Sequence, residues 1–324
     1  MKFRHRFFNF FLLLVLGIAL VSACSNQDTE SNSLSFAETR LIEHVMGQTQ
    51  VPIEPKRVVT LDGFALENVL ALGEKPVATA LNGSKEQQPP HLQGKLTAVK
   101  LLGSYAQPSL EKIVEADPDL ILSITAIAED IYPQLSEIAP TVLAESNASD
   151  RWKDYLNLHA KALGKTEVAR EVMQNYEKHL DQFKEKMGDQ LEHIEVSVVR
   201  IYPEQITLYQ KGSFCGAILE DAGLSRPPSQ KGDGVQQMIS KETLNKANGD
   251  IIFVWVSGDD YQSSKKQRTA IENLKSDPLW SQLSAVQQGN VYQVPGYWLG
   301  FGPLAANAVI DDLFRYLVEE ESSS

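Results

Sequence analysis

Cysteines, clustered cations and histidine pairs are scarce in this 324-residue sequence. Its two cysteines cannot form a disulfide scaffold, a CxxC pair or a cysteine-based zinc site. The 30 Lys and Arg against 42 Asp and Glu give a net charge of −12. Nucleic acid is therefore excluded as a partner, because binding it requires clustered cations to replace phosphate counterions. The six histidines form no HxH or HExxH pattern, which argues against a bare zinc or manganese site.

Motifs of catalysis are also missing. The sequence contains no P-loop and no GxGxxG. The segment 212–216 resembles a nucleophile elbow, but Phe214 occupies the nucleophile position, so the motif fails. The pair Asp259-Asp260 is more typical of solvated loop acids than of a cation site. We therefore expect no catalytic residue, no metal ligands and no enzyme.

The one long apolar run lies near the start of the chain. Lys2, Arg4 and Arg6 precede a nearly all-apolar stretch from Phe7 to Leu20, which is short for a membrane span and typical of a signal peptide. Small residues then lead to Cys24, as in a bacterial lipobox, so residues 1–23 are predicted to be removed and Cys24 to be acylated. The alternative is a plain signal anchor with an incidental cysteine.

The residues after Cys24 favour the lipoprotein interpretation. Ser25 to Ser33 are almost entirely polar, which is the composition of a tether. We expect an exported protein held at a membrane by its lipid, on the periplasmic side or the cell surface, with a net charge of −15 after processing. Cys215 then has no partner within the chain and is predicted to be a small buried apolar residue.

Short apolar runs alternate with helical patterns from Arg57 onward, which predicts an α/β fold with largely parallel sheets. The predicted strands are 58–61, 76–80, 120–124, 141–143, 196–201, 206–209 and 251–256. The predicted helices are 64–72, 109–116, 132–139, one ending at 217–223, and 304–318.

The alternation breaks between residues 151 and 187, where helix formers dominate. Thr166 to Lys186 predicts one helix about 30 Å long, with Val168, Val172 and Tyr176 on one face. We therefore expect two lobes joined by one long helix. The predicted division is a signal peptide 1–23, a lipidated N-terminus and linker 24–50, an N-terminal lobe 51–150, a helical region 151–190 and a C-terminal lobe 191–324.

An internal echo supports two similar lobes. The segment 109–122 repeats the pattern of 240–253 at a constant offset of 131 residues. Glu111 and Glu242 occupy the same place in both, as do Asp119 and Asp250. Part of this agreement is generic to helix-turn-strand units.

Three further stretches carry a resemblance to a known family. They are the segment 57–73, the segment 103–121 with its Pro118-Asp-Leu-Ile121 end, and the segment 298–313. As a set, they resemble the class III substrate-binding proteins of ABC importers over about residues 50–319. The segments 198–202 and 213–224 look most similar to the iron–siderophore receptors of that family.

The resemblance implies a ligand and two kinds of partner. The ligand is a ferric siderophore (an Fe³⁺ chelate) held in the cleft between the lobes, and no cofactor is bound covalently except the lipid. The partners are the membrane, through the lipid anchor, and an ABC permease dimer, which Glu111 and Glu242 are expected to contact, one from each lobe. The alternative for both glutamates is a simple acid in the first turn of a helix. We expect the protein to be a monomer.

Candidate ligand contacts are aromatic and cationic side chains near predicted strand ends, since these suit the oxygen-rich shell of such a chelate. They are Tyr105, Arg200, Tyr202, Tyr209, Arg226, Trp255 and Trp298. Tyr105 departs from a hydroxamate-receptor pattern that carries Arg there. For Arg200 the alternative is a rim salt bridge, and for Trp255 a core position. Trp298 is expected to be exposed in a loop before the last helix.

Two other functions stay open at this point. A receptor for cobalamin or haem has the same fold, and an exported enzyme could use the same cleft.

Overall fold

The computed structural model describes residues 38–146, 149–202, 205–255 and 269–319. The predicted signal peptide, Cys24 and the pair Asp259-Asp260 lie outside these ranges. Within the described residues, no helix combines the length and apolar character needed to cross a bilayer. From Thr39 onward the chain forms one compact unit.

A β-hairpin opens the described chain. Strand β1 (Thr39–His44) pairs antiparallel with β2 (Gly47–Pro52). Val51 is completely buried in this hairpin. The predicted linker 24–50 therefore includes regular structure from Thr39 onward, which the sequence analysis missed because the hairpin strands are largely polar.

The N-terminal lobe is built on a parallel sheet with the strand order β5-β4-β3-β8-β9. Its strands are β3 (Val58–Thr60), β4 (Ala78–Thr79), β5 (Lys100–Leu101), β8 (Leu120–Ile124) and β9 (Thr141–Ala144), and a small separate hairpin contains β6 (Gly103–Ser104) and β7 (Gln107–Pro108). Its helices are α1 (Gly63–Ala71), α2 (Leu110–Glu115), α3 (Thr125–Ala128) and α4 (Tyr132–Ile138). Strands β3 and β8 are buried at every position because helices and loops cover both faces.

The C-terminal lobe contains a mixed sheet with the order β12-β11-β10-β13-β14. Its strands are β10 (Val196–Ile201), β11 (Ile206–Tyr209), β12 (Gln236–Ile239), β13 (Ile251–Trp255) and β14 (Val291–Val294). Strands β10, β13 and β14 are parallel, whereas β11 and β12 are antiparallel additions. The predicted α/β fold with two lobes and largely parallel sheets is thus confirmed.

Two consecutive helices follow the strands of the first sheet and precede those of the second along the chain. They are α5 (Trp152–Leu163) and α6 (Thr166–Met187), and α6 is the long helix expected from the sequence. At 1.5 Å per residue, its 22 residues span about 33 Å. Its buried face carries Tyr176, Leu180 and Phe183, as the helical spacing of apolar residues requires.

The remaining helices belong to the second half of the chain. They are α7 (Phe214–Asp221), the helical residues 269–275, α8 (Ser284–Gln288) and α9 (Pro303–Phe314), which continues as a π-helical turn, Arg315–Glu319. Short 3₁₀ turns are Lys85–Gln87, Pro90–Leu92, Ser149–Arg151, Gly188–Glu192, Pro228–Gln230, Lys241–Ala247, Trp280–Gln282 and Gly296–Leu299. Helix α9 packs on the long helix α6, where Phe314 meets Phe183 at a ring separation of 5.5 Å.

One apolar cluster joins the two lobes. It contains Phe64 from α1 and Trp152 from α5, together with Phe214 and Phe253 from the C-terminal lobe. Cys215 lies in the same cluster with no exposed surface, as predicted for a small apolar residue. These residues pack the two lobes against each other through a shared apolar core.

The internal echo corresponds to equivalent places in the two sheets. Ser109 precedes α2 and Ser240 precedes the turn Lys241–Ala247, and each turn leads into the strand beside the first strand of its lobe. The carboxylate of Asp119 accepts hydrogen bonds from Lys56 N and Arg57 N, just ahead of β3. The carboxylate of Asp250 accepts one from Glu195 N, just ahead of β10.

Asp62 links stability to pH. It caps α1 by accepting a hydrogen bond from Ala65 N at 2.9 Å, and its complete burial raises its pKa to about 6. In the unfolded chain its carboxyl titrates near 3.9. The native state therefore binds the proton of Asp62 more tightly than the unfolded chain does. As pH rises from about 4 to about 6, Asp62 lowers the free energy of unfolding by at most about 3 kcal/mol.

We expect Asp62→Asn to remove this contribution to the pH profile. The difference in melting temperature between the variant and the wild type should shift by several degrees in favour of the variant between pH 4 and pH 7. Thermal unfolding followed by circular dichroism checks this, with the exposed Asp189→Asn as the control. A constant difference across that range would contradict it.

Candidate functional site

A cavity of about 700 Å³ lies between the two lobes. Its C-terminal wall follows the carboxyl ends of parallel strands, where Arg200 comes from β10 and Trp255 from β13. Its N-terminal wall follows the ends of β3 and β4, with residues from the start of α1 and from the loop that begins at Asn82. Ligands of open α/β sheets bind at this edge, beyond the carboxyl ends of the strands.

Strand register creates the most distinctive feature of the C-terminal wall. Arg200 and Trp255 are direct partners in the parallel pair β10–β13. The Arg200 guanidinium carbon lies 3.7 Å from the centre of the Trp255 ring and 4.1 Å from that of Tyr202. Two aromatic faces therefore hold one guanidinium between them, which stabilises the cation and fixes its plane.

The Arg200 cation has no carboxylate partner within 4 Å among the described residues. Arg200 Nε and Trp255 Nε1 are also buried without a hydrogen-bond partner among the described residues. A buried donor without a partner costs about 1–3 kcal/mol. These donors can therefore bind an acceptor on a ligand. The alternative for Arg200, a rim salt bridge, is formed with none of the described acids.

Tyr209 completes this wall at the end of β11. Its ring contacts Trp255 edge-on, with the ring centres 6.0 Å apart. Burial raises the pKa of its hydroxyl, while the nearby Arg200 guanidinium opposes the shift. Tyr209 therefore stays a neutral hydroxyl that can donate a hydrogen bond at physiological pH.

The N-terminal wall carries several uncharged polar groups among its apolar residues. Tyr105 lies in the turn between β6 and β7 and lines the cavity, with its ring 6.4 Å from that of Phe301. The loop after β4 adds the amides of Gln87 and Gln88 and the imidazole of His91. Amides both donate and accept hydrogen bonds, so this wall can bind ligand groups that are donors and ligand groups that are acceptors.

A buried carboxylate, Glu67, also lines the cavity. One of its oxygens lies 3.2 Å from His91 Nε2, and the other accepts a hydrogen bond from Ala305 N at 3.0 Å. Ala305 lies in the first turn of α9, whose own N-cap, Gly302, has no side chain to satisfy the free N–H groups. Glu67 supplies that cap from the other lobe, and the helix N-terminus favours its negative charge.

Trp298 does not lie at the cavity. It is completely buried, and its Nε1 donates to Asp312 Oδ2 at 2.9 Å. The Tyr297 hydroxyl donates to the same oxygen. The expectation of an exposed aromatic at Trp298 is therefore wrong, because a carboxylate on α9 satisfies its N–H inside the core.

Arg226 lies behind the C-terminal wall and does not line the cavity. Its guanidinium donates to Val196 O and Tyr209 O, both at 2.7 Å, and to the side-chain oxygen of Gln230. Burial lowers its pKa to about 10, so it remains charged at neutral pH. Arg226 was predicted to contact the ligand, but it is not among the residues that line the cavity, and its hydrogen bonds instead hold β10 and β11 in position.

Glu111 and Glu242 are both exposed, each in the first turn of its short helix. For Glu242, hydrogen bonding to Ser240 lowers the pKa of the carboxyl, so this side chain is ionised at neutral pH. Neither glutamate lines the cavity. The ligand cavity and the echoed surface acids are thus separate features.

Sequence reasoning missed Glu67, His91 and the amides of the 82–92 loop. A signal for Glu67 was present, because a charged residue inside the largely apolar segment 64–72 needs a buried partner. No comparable pattern marks the loop, since its residues have neither helical nor strand periodicity.

The fold and the cavity define a two-lobe ligand-binding protein. The family model described as "Periplasmic binding protein" matches residues 58–297. The chain is 34% identical over 318 residues to the probable siderophore-binding lipoprotein YfiY of Bacillus subtilis, covering 95% of this chain and 97% of YfiY.

Two solved structures are also similar. Staphylococcus aureus SirA complexed with staphyloferrin B has a TM-score of 0.77 and 29% identity, covering 86% of this chain and 98% of SirA. The triscatecholate siderophore-binding protein FeuA of Bacillus subtilis, complexed with ferri-bacillibactin, has a TM-score of 0.72 and 25% identity, covering 86% of this chain and 98% of FeuA. This chain belongs to the periplasmic binding protein family, a family of binding proteins for transport.

Proposed function

We propose that this protein is the substrate-binding lipoprotein of an ABC importer and that it captures a ferric siderophore in the inter-lobe cavity. The observation that carries the proposal is the Arg200 guanidinium, which has no acid partner among the described residues and is held between Tyr202 and Trp255 at the cavity wall. A cation fixed in this way suits the anionic or carbonyl oxygens of an iron chelate.

The size and lining of the cavity support the same proposal. About 700 Å³ is within the usual range for a small-molecule site, and aromatic side chains supply most of the apolar contact on the C-terminal wall. YfiY and FeuA are both described as siderophore-binding, and SirA was solved in complex with staphyloferrin B. Among the described lining residues, none favours cobalamin, haem or a catalysed reaction over this assignment.

Tryptophan fluorescence tests capture directly. A ferric siderophore absorbs where tryptophan emits, so titration should quench the emission. Trp255 lines the cavity, whereas Trp280 is a core residue outside it. We expect Trp255→Phe to remove a larger share of the quench than Trp280→Phe. Ferric complexes that bind without this difference would place the ligand elsewhere, and the absence of any saturable quench would contradict the proposed function.

The lipid anchor is proposed from the sequence around Cys24. If Cys24 is acylated, Cys24→Ser should abolish labelling by radioactive palmitate and leave the protein either unprocessed or released from the membrane. The matched control is Cys215→Ser, which changes the buried thiol and should keep the label. Unchanged labelling of Cys24→Ser would contradict the anchor.

A further inference from the structure

We propose that Glu67 and Arg200 form a charge filter that admits neutral or weakly anionic ferric complexes and disfavours trianionic tris-catecholates. This inference deepens the proposed function and rests on it. Glu67 comes from the N-terminal lobe and Arg200 from the C-terminal lobe, and both line the cavity. The filter consists of these two opposite charges on opposing walls.

The described lining contains few other charges. Among the described residues that line the cavity, Arg200 is the cation, Glu67 is the carboxylate and His91 is the titratable imidazole. The Arg200 guanidinium and the Glu67 carboxylate are the two opposite charges of this lining. A trianion that leaves water for such a wall gains one cation and meets one fixed anion, so its desolvation is poorly compensated.

Arg200 is a fixed charge because its plane is clamped by two rings, 3.7 and 4.1 Å from its central carbon. It attracts an anionic ligand but cannot spread to meet three separate catecholate groups. A carbonyl or carboxylate oxygen at one edge of a neutral chelate satisfies it.

Glu67 is held just as firmly. One oxygen accepts from Ala305 N at the start of α9, and the other faces His91 Nε2. A side chain at Gly302 would come within 3.0 Å of Glu67 Cβ, so glycine makes room for this arrangement. The carboxylate cannot swing away from an incoming anion without leaving a helix N-terminus without its cap.

The expected size of the effect follows from Coulomb's law. At an effective dielectric constant near 20 and a separation of about 10 Å, one pair of unit charges changes an affinity by roughly tenfold. A trianion feels this effect more strongly than a neutral complex does, even after screening by salt. Removing the charge of Glu67 should therefore strengthen binding of the trianion relative to binding of the neutral complex. Removing the charge of Arg200 should weaken it relative to the neutral complex.

The test measures the affinities of purified protein for ferrichrome, a neutral trihydroxamate, and ferric enterobactin, a trianionic tris-catecholate, by isothermal titration calorimetry at pH 7.5 and low salt. We expect the wild type to bind ferrichrome at least tenfold more tightly. Glu67→Gln, which keeps an acceptor for Ala305 N, should reduce this preference, measured as the ratio of the enterobactin Kd to the ferrichrome Kd, fivefold or more. Arg200→Met should raise it by a similar factor.

Matched controls separate the filter from general effects of charge. Glu177→Gln removes the same charge from the exposed surface of α6 and should leave the ratio within twofold. Raising NaCl from 50 to 500 mM should reduce the shift caused by Glu67→Gln. A wild type that prefers enterobactin, or a ratio that neither variant changes, would overturn the filter. Failure of every ferric complex to bind would instead contradict the proposed function.

Discussion

Replacing Arg200 by alanine should weaken binding of a ferric siderophore tenfold to a hundredfold. The guanidinium is positioned by Tyr202 and Trp255 and has no acid partner among the described residues, and its buried Nε has no hydrogen-bond partner there, so this donor is available to a ligand oxygen. A charge-assisted hydrogen bond contributes about 1.5–3 kcal/mol, and each 1.4 kcal/mol corresponds to a factor of ten. Equilibrium titration of both proteins with the same ferric complex measures the loss.

Arg200→Lys distinguishes charge from geometry. Lysine keeps the positive charge but cannot lie flat between two rings or donate from a planar fork. We expect an affinity between those of the wild type and Arg200→Ala. Arg170→Ala, which removes an exposed arginine from α6, should leave affinity unchanged. Wild-type affinity in Arg200→Ala would remove Arg200 from the site.

Most strands of the two sheets were predictable because their apolar runs are local signals. The run 251–256 predicted β13, and the run 120–124 predicted β8 without error in either bound. Parallel strands buried on both faces give such continuous runs. Strands β5, β12 and β14 were not predicted, because exposed and partly exposed residues interrupt their patterns.

The composition of the site was harder to predict than the fold. Arg200, Tyr202, Tyr209 and Trp255 were each candidates, but their assembly depends on the register of β10 against β13, which joins residues 55 positions apart. No local pattern specifies that register.

Trp298 shows the opposite error. Its position between Gly296 and Gly300 resembles an exposed loop, and the local sequence contains no acceptor for its N–H. The acceptor is Asp312, on the helix that follows. The fold of α9 brings Asp312 next to the indole, and the local sequence around Trp298 does not show this contact. Sequence analysis therefore assigned the indole to the ligand.

Replacing both Glu111 and Glu242 by alanine should reduce iron uptake at least tenfold while leaving ligand affinity nearly unchanged. We propose that each glutamate meets one half of a permease dimer, as the resemblance to class III binding proteins implies. Both side chains are exposed, lie at equivalent places in the two lobes and are absent from the cavity lining. Two equivalent anchors suit a partner with two equivalent halves, and truncating charges at such a surface lowers the rate of productive encounter.

The uptake experiment compares radioactive iron accumulation in cells that express the wild type, each single variant and the double variant at equal levels. Because both contacts orient the same complex, the double variant should lose more uptake than either single variant. The control is Glu171→Ala with Glu177→Ala, which removes two exposed acids from α6 and the same net charge. Equal loss in the control would assign the effect to net charge, and normal uptake by the Glu111 and Glu242 double variant would show that these residues do not dock the permease.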